Sequence, residues 1–340
     1  MYDIKRIYEP HTVEEAVKFL AEDNEAIVIN GGSDVLIKNR EGQLTNLPFV
    51  SVYNIKELKN IYIDENESII IGSGASFTSI ENNEIINKYL DFLAFAVGQV
   101  GGPQIRNIGT MGGNICNGVP SADSCTSVMA LNTHLHLQSE RGKRVVPVSE
   151  FYVGAGKTVR ERDELLTHFE IKKEDYFGYT GNYIKYAMRN AMDIATLGCC
   201  VMTKLSDDKK TLEDIRITYG VAAPTPIRSP KLEEKLKGQR VDDNLIKIID
   251  ENYTLDVNPR DSWRASRDFR LHIIREMTRR NINEAIIKVV GKVFTVVEFN
   301  VNGEDVSVGV DERESLLDTL RNRLGLTSVK RGCEVGECGA

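Results

Sequence analysis

Six glycines fall between Gly101 and Gly118, spread among Asn, Thr and Ser with almost no charge. The stretch reads Gly101-Gly102-Pro103-Gln104-Ile105-Arg106-Asn107-Ile108-Gly109-Thr110-Met111-Gly112-Gly113-Asn114. It continues through Asn117-Gly118-Val119-Pro120-Ser121-Ala122-Asp123-Ser124. A segment so poor in side chains cannot build a core, and it is too broken for one regular element. Glycine permits positive φ and a close approach of backbone to a ligand. Successive N–H groups in such turns form concavities that hold anions without lysine. The segment therefore predicts a loop wrapped around a phosphate-bearing cofactor, with a tightly packed glycine turn as the competing interpretation.

A second turn of the same kind precedes it. Thr12-Val13-Glu14-Glu15 is a capping box, and Val13, Ala16, Val17 and Leu20 follow at helical spacing. The apolar run Ala26-Ile27-Val28-Ile29 then ends in Asn30-Gly31-Gly32-Ser33-Asp34, after which Val35-Leu36-Ile37 resumes. Helix, strand and glycine turn make an α/β opening, and N–H groups at a strand end face outward, where ligands bind.

The 340 residues suffice for two or three domains, with 41% apolar and 27% charged residues as in an ordinary soluble globular protein. A net charge of −7 argues against nucleic acid as a partner. No apolar run reaches the length of a membrane span, and Met1-Tyr2-Asp3-Ile4-Lys5-Arg6 lacks the apolar region of a signal peptide, so a cytoplasmic location is expected. Six cysteines in a chain of this size do not make a disulfide framework.

Strands are expected at Phe49 to Val52, Ile69 to Ile71, His134 to Leu137 and Val145 to Val148, with one helix from Ile85 to Val97. His134 and His136 share a strand face but have no further ligand in view, and are taken as ordinary strand residues. Gly154-Ala155-Gly156-Lys157-Thr158 ends like a P-loop, yet Phe151 stands where the motif needs its first glycine. No G-x-G-x-x-G follows a strand, so a Rossmann site is unsupported. After the polar stretch Lys172 to Asp175 come strands at Tyr183 to Met188, Ala195 to Lys204 and Ile215 to Val221. Helices follow at Lys231 to Leu236 and Asp243 to Glu251, then an arginine-rich helix from Trp263 to Ile287 whose arginines read as a solvated face. Phe294 to Val308 is a hairpin turning at Asn302-Gly303, a type I′ signal, and a short helix starts at Ser315 and closes by Gly325. Cys333 and Cys338 end the chain at the C-x₄-C spacing of a plant-type ferredoxin. They are two of the four thiolates that a [2Fe–2S] cluster needs, so a filled cluster requires a completed ferredoxin domain.

Four stretches together resemble the FAD-binding subunit of xanthine dehydrogenase, in the molybdenum hydroxylase family: Asn30 to Val35, Gly102 to Asn107, Gly109 to Asn114 and Lys185-Tyr186-Ala187-Met188-Arg189. The tail resembles the start of that family's [2Fe–2S] subunit, cut short. The resemblance implies a mixed α/β and α+β chain in three parts. Residues 1–175 would be a PCMH-type FAD-binding fold of two α/β subdomains. Residues 176–289 would be a C-terminal α+β domain like that of the CO dehydrogenase flavoprotein, and 290–340 a partial β-grasp ferredoxin segment. FAD would be held by Ile29, Asn30, Gly31, Gly32, Ser33, Asp34 and Val35 at its pyrophosphate and ribityl chain. Thr110, Gly113 and Asn114 would complete the cradle, and Asp123 would meet the sugar or adenine end. Leu166 would pack on the isoalloxazine, with Lys185 near its polar edge. The implied activity is electron transfer from [2Fe–2S] centres to NAD⁺, in complex with a molybdopterin-binding catalytic subunit and a [2Fe–2S] subunit. No residue of this chain is required as acid or base. Two alternatives stand beside it: the flavin subunit of another N-heterocycle hydroxylase, such as one for nicotinate, and a non-catalytic assembly module.

Overall fold

The first fifty residues alternate as their apolar spacing predicts. Strand β1 (Ile4–Tyr8), helix α1 (Val13–Glu22), β2 (Ile27–Ile29), α2 (Val35–Arg40) and β3 (Leu47–Ser51) build a parallel sheet in the order β1-β3-β2. The capping box forms with its return arm one residue early: Thr12 Oγ1 accepts from Glu15 N at 3.2 Å, and the Glu15 carboxylate accepts from His11 N, just before the cap, at 2.7 Å. Val13, Ala16, Val17 and Leu20 are all buried, against Val50, Val52, Leu58 and Leu165. Each such aliphatic side chain contributes about 1.5–3 kcal/mol by leaving water. The computed structural model describes residues 2–242, 244–291, 294–311, 314–330 and 332.

An antiparallel sheet follows, ordered β4-β5-β10-β6-β7. Its strands are β4 (Ile61–Ile63), β5 (Ile69–Gly72), β6 (His134–Ser139), β7 (Gly142–Pro147) and β10 (Leu165–Ile171). Between β7 and β10 the small hairpin β8 (Tyr152–Gly154) and β9 (Lys157–Thr158) contains the Gly-Ala-Gly-Lys turn, not the strand–loop–helix of a P-loop. Helices α3 (Phe77–Glu81), α4 (Glu84–Tyr89), α5 (Asp91–Gly98), α6 (Pro103–Ile108), α7 (Met111–Cys116) and α8 (Asp123–Ala130) connect β5 to β6, and α9 (Val148–Phe151) and α10 (Lys173–Tyr176) flank β8 and β10. The single helix expected from Ile85 to Val97 is instead two. Leu90 leaves helical geometry at φ −135° and ψ 41°, and the turned axis buries Phe92, Leu93, Ala96 and Val97 as well as Ile86. The glycine-rich stretch is likewise not a bare loop, since it winds into α6 and α7 around Gly109-Thr110.

A four-stranded antiparallel sheet completes this unit: β11 (Thr180–Tyr186), β12 (Leu197–Leu205), β13 (Leu212–Gly220) and β14 (Ile227–Arg228). Helices α11 (Pro230–Leu236), α12 (Asn244–Asn252) and α13 (Arg267–Val290) follow. Neighbouring residues of a strand point to opposite faces, and β13 shows both. Thr218 Oγ1 donates to Thr126 O of α8 at 2.8 Å, while Tyr219 Oη meets Thr278 Oγ1 of α13 at 2.6 Å. Arg216, also on β13, donates to Ala130 O at 3.1 Å and pairs with Asp175 at 3.1 Å. The α13 arginines are not all solvated, as the sequence reading had them. Arg270 is 2% exposed and donates to Thr196 O at 2.7 Å and Ser262 Oγ at 2.8 Å. Its guanidinium closes the end of β12, a partner about seventy residues away that helical spacing cannot reveal. Helix α13 starts at Arg267, and Trp263 before it is 83% exposed.

Residues Met1–Ala285 form one compact unit and Ile286–Ala340 another. In the second unit β15 (Phe294–Val301) and β16 (Glu304–Asp311) pair as a hairpin. Asn302 and Gly303 take φ of 54° and 92°, both positive as a type I′ turn demands. Ser315 caps the short helix α14 (Leu316–Asp318), and Gly325 turns at φ +70°. Cys333 and Cys338 lie outside the described residues.

Candidate cofactor site

Strand β2 ends where the Asn30–Asp34 turn begins. The N–H groups of Asn30, Gly31, Gly32, Ser33 and Asp34 donate to no protein acceptor among the described residues. Unpaired N–H groups are rare in folded chains unless water or a ligand meets them. Gly32 has φ +71°, which frees the chain to turn back on itself. A Cβ on Gly31 would lie 1.9 Å from the Ile108 carbonyl oxygen, so only glycine lets this turn meet the glycine-rich stretch. Lys38 ties the same two segments, reaching Asp34 at 2.6 Å and Asn117 Oδ1 at 2.8 Å.

The Gly109–Asn114 segment is built differently, because its N–H groups are already engaged. Met111 N donates to Ala75 O at 3.2 Å, Gly112 N to Ser73 O at 3.0 Å, and Asn114 N to Thr110 O at 3.0 Å. Thr110 caps α7, its hydroxyl accepting from Gly113 N at 3.1 Å. Asn114 Oδ1 accepts from Ser124 Oγ at 2.7 Å. A Cβ on Gly112 would sit 2.4 Å from Ser73 O, whereas one on Gly113 would meet only Thr110 Oγ1, at 3.2 Å. Gly112 is therefore a packing glycine, and Gly113 borders open space.

A third loop, Ser73 to Ser76 at the end of β5, joins the other two, and sequence reasoning passed over it. Beyond supplying acceptors to α7, it brings Gly74 within reach of Asn30, where a Cβ would lie 3.2 Å from Asn30 Nδ2. The signal was present as Gly72-Ser73-Gly74, a Gly-x-Gly directly after a strand.

Asp123 and Lys185 come together as one ion pair, so they serve a single end of a cofactor and not, as the resemblance implied, its sugar or adenine end and its isoalloxazine edge separately. Lys185 Nζ donates to Asp123 Oδ2 at 2.8 Å, with the two side chains 8% and 7% exposed. Lys185 also donates to Gln99 O at 3.0 Å, and Tyr183 Oη donates to Asp123 Oδ1 at 2.8 Å. Burial raises the Asp123 carboxyl above its ordinary range, against the opposing pull of Lys185 and Tyr183. Leu166 is 3% exposed on β10, opposite Leu137 and inside the core, so it offers almost no surface of its own. On the far side of that strand's neighbourhood, His136 pairs with Glu170 at 2.8 Å and stacks on His168 with ring centroids 4.1 Å apart. No group of metal-ligating side chains occurs among the described residues.

Residues 2–172 match the family described as the FAD binding domain in molybdopterin dehydrogenase, and residues 182–285 match the CO dehydrogenase flavoprotein C-terminal domain. The chain belongs to the FAD-binding subunits of the molybdopterin dehydrogenases. It is 39% identical to the xanthine dehydrogenase FAD-binding subunit of Escherichia coli O157:H7 over 294 residues, covering 86% of this chain and 99% of that one. It is 31% identical to the nicotinate dehydrogenase FAD-subunit of Eubacterium barkeri, over 68% of this chain and 79% of that one. The carbon monoxide dehydrogenase structure from Hydrogenophaga pseudoflava superposes with a TM-score of 0.78 at 26% identity, covering 84% of this chain and 98% of that chain. The fold and family thus match those the sequence motifs imply: a mixed α/β, xanthine dehydrogenase-like flavoprotein of the molybdenum hydroxylases.

The residues present fit FAD. A pyrophosphate carries the acceptors that five adjacent unengaged N–H groups lack, and charge-assisted bonds to N–H are the stronger kind. No helix among the described residues is long and apolar enough to cross a membrane.

Proposed function

We propose that this chain is the electron-transfer subunit of a xanthine dehydrogenase-type hydroxylase, standing between [2Fe–2S] centres and NAD⁺. It works in complex with a molybdopterin-binding catalytic subunit and a [2Fe–2S] subunit. The observation that carries this is the row of unengaged N–H groups from Asn30 to Asp34, closed against Ile108 of the facing segment. Bound FAD supplies a centre that takes electrons singly and releases them as a pair. The chain's own part is to bind, orient and shield.

In this reading Ile29 to Val35 hold the pyrophosphate and ribityl chain through backbone N–H groups and the Ser33 hydroxyl. Thr110, Gly113 and Asn114 form the opposite wall, where Gly113 leaves room that a side chain would fill. Asp123 and Lys185 act as a pair rather than singly, the lysine directed by the carboxylate it contacts. Leu166, buried on β10, backs the site from the core and does not itself face the cofactor. Domain limits at 1–175, 176–289 and 290–340 belong to the same proposal, as does a cytoplasmic location. The hydroxylated substrate is selected on the partner subunit. Likeness to the nicotinate dehydrogenase FAD-subunit keeps an N-heterocycle other than xanthine as the second reading.

The test is a visible absorption spectrum of the purified chain, before and after adding FAD, followed by anaerobic mixing with NADH. Flavin bands in stoichiometric amount, bleached by NADH, are expected. A chain that stays colourless in excess FAD removes the cradle assignment and leaves the assembly module. A flavin that binds but is not bleached removes NAD⁺ alone.

A further inference from the structure

Lys185 has three N–H donors, and protein acceptors take two of them, Asp123 Oδ2 and Gln99 O. The third has no protein partner among the described residues, on a side chain only 8% exposed. What fixes the direction of that third donor is the orientation of the Asp123 carboxylate. Its Oδ1 is held by Tyr183 Oη, and Tyr183 is the residue two positions before Lys185 on β11, so both side chains leave the same face of the sheet. Tyr183 is 2% exposed and has Phe95 edge-on at 6.5 Å between ring centroids. Burial, and then the neighbouring Asp123, hold its hydroxyl protonated, so it is a donor throughout the working pH range.

We propose that Tyr183 is a positioning residue for the cofactor site: by clamping one oxygen of Asp123 it fixes the other on Lys185, whose remaining N–H then addresses the flavin. This rests on the flavin reading above and assigns a role to a residue outside the family motifs. Without the hydroxyl, the carboxylate is free to rotate and to offer Lys185 either oxygen, and the ammonium loses its fixed aim. The groups that face this cluster are Lys185 and Tyr183 from β11, Cys125 from α8 and Cys200 from β12. Burial and then Asp123 push the Cys125 thiol up, so it stays neutral while the carboxylate titrates in acid.

The test uses Tyr183→Phe in the full chain, with FAD affinity measured by fluorescence quenching from pH 5 to 9. About tenfold weaker binding is expected, the loss of one hydrogen bond to a charged group. The acid limb of the affinity profile should move to higher pH, because the carboxylate loses a donor that favours its ionised form. In a Lys185→Met background, the same change should cost less than about twofold, since the tyrosine acts through the lysine. Wild-type affinity and profile in Tyr183→Phe overturn the proposal, and so does a full tenfold loss on top of Lys185→Met. Should Tyr183→Phe not fold, 3-fluorotyrosine at 183 keeps the ring and strengthens the donor. It must then shift the acid limb downward, and an unmoved limb overturns the proposal. Failure of the wild-type chain to bind FAD is a different result, and it removes the flavin reading itself.

Discussion

Asn30–Asp34 and Gly109–Asn114 meet at Gly31 and Ile108, and they use glycine to opposite ends. In the first turn the N–H groups have no protein acceptor among the described residues, and Gly32 takes a positive φ. In the second, Ser73, Ala75 and Thr110 take the N–H groups, and Gly112 exists because Ser73 lies against it. Two stretches of similar composition thus divide into a binding backbone and a structural wall. The distinction lies in where the hydrogen bonds go, which composition does not encode.

Gly31→Ala should have the largest effect, since a Cβ 1.9 Å from a carbonyl oxygen forces the two segments apart. A loss of at least about 3 kcal/mol in urea unfolding is expected, together with loss of FAD binding. Gly113→Ala sharpens the contrast: its Cβ meets only Thr110 Oγ1. FAD affinity should fall about tenfold, one direct contact's worth, with the melting temperature of the FAD-free chain unchanged. If that variant instead melts early and binds normally, Gly113 serves packing and not the cofactor. Thr110→Ala removes the cap of α7 and should cost about 1 kcal/mol in urea unfolding, with a smaller loss of FAD affinity than Gly113→Ala.

A pH effect acts from beneath the second segment. Ser73, which accepts from Gly112, itself donates to Thr167 O at 2.9 Å, and Thr167 adjoins His168. Burial, and then His136, depress the His168 imidazole from 6.5 to about 4. Between those values the unfolded chain takes up a proton that the folded chain refuses, so stability falls as pH drops from about 6.5 to about 4. Thermal melts across that window should slope less in His168→Gln, and equal slopes would clear His168 of the effect.

Local signals were the legible part of this molecule. The Thr12–Glu15 capping box, the Asn302-Gly303 turn and the alternating strand from His134 all form where a few neighbouring residues dictate them. The two glycine stretches were also visible as a pair. What stayed hidden depends on distant partners. The break at Leu90 interrupts an unbroken apolar spacing because the core requires the chain to turn there. Arg270 reads as one more exposed arginine until Thr196 O comes to meet it. Tyr183 fits an apolar strand position, and its partner Asp123 is sixty residues earlier. Cys333 and Cys338 were conspicuous in sequence and lie outside the described residues.

Helix α8 touches the four-stranded β11–β14 sheet along its whole length, through Asp123 to Lys185, Thr126 O to Thr218, and Ala130 O to Arg216. Its Ser124 also holds Asn114 in the cofactor wall. The same eight-residue helix is therefore a core element of both the N-terminal half and the C-terminal domain. Neither half can lose its fold while the other keeps one. Heat should melt residues of both in a single cooperative transition, and a ligand gripping the N-terminal loops should protect amides of β13 from exchange, far from anything it touches.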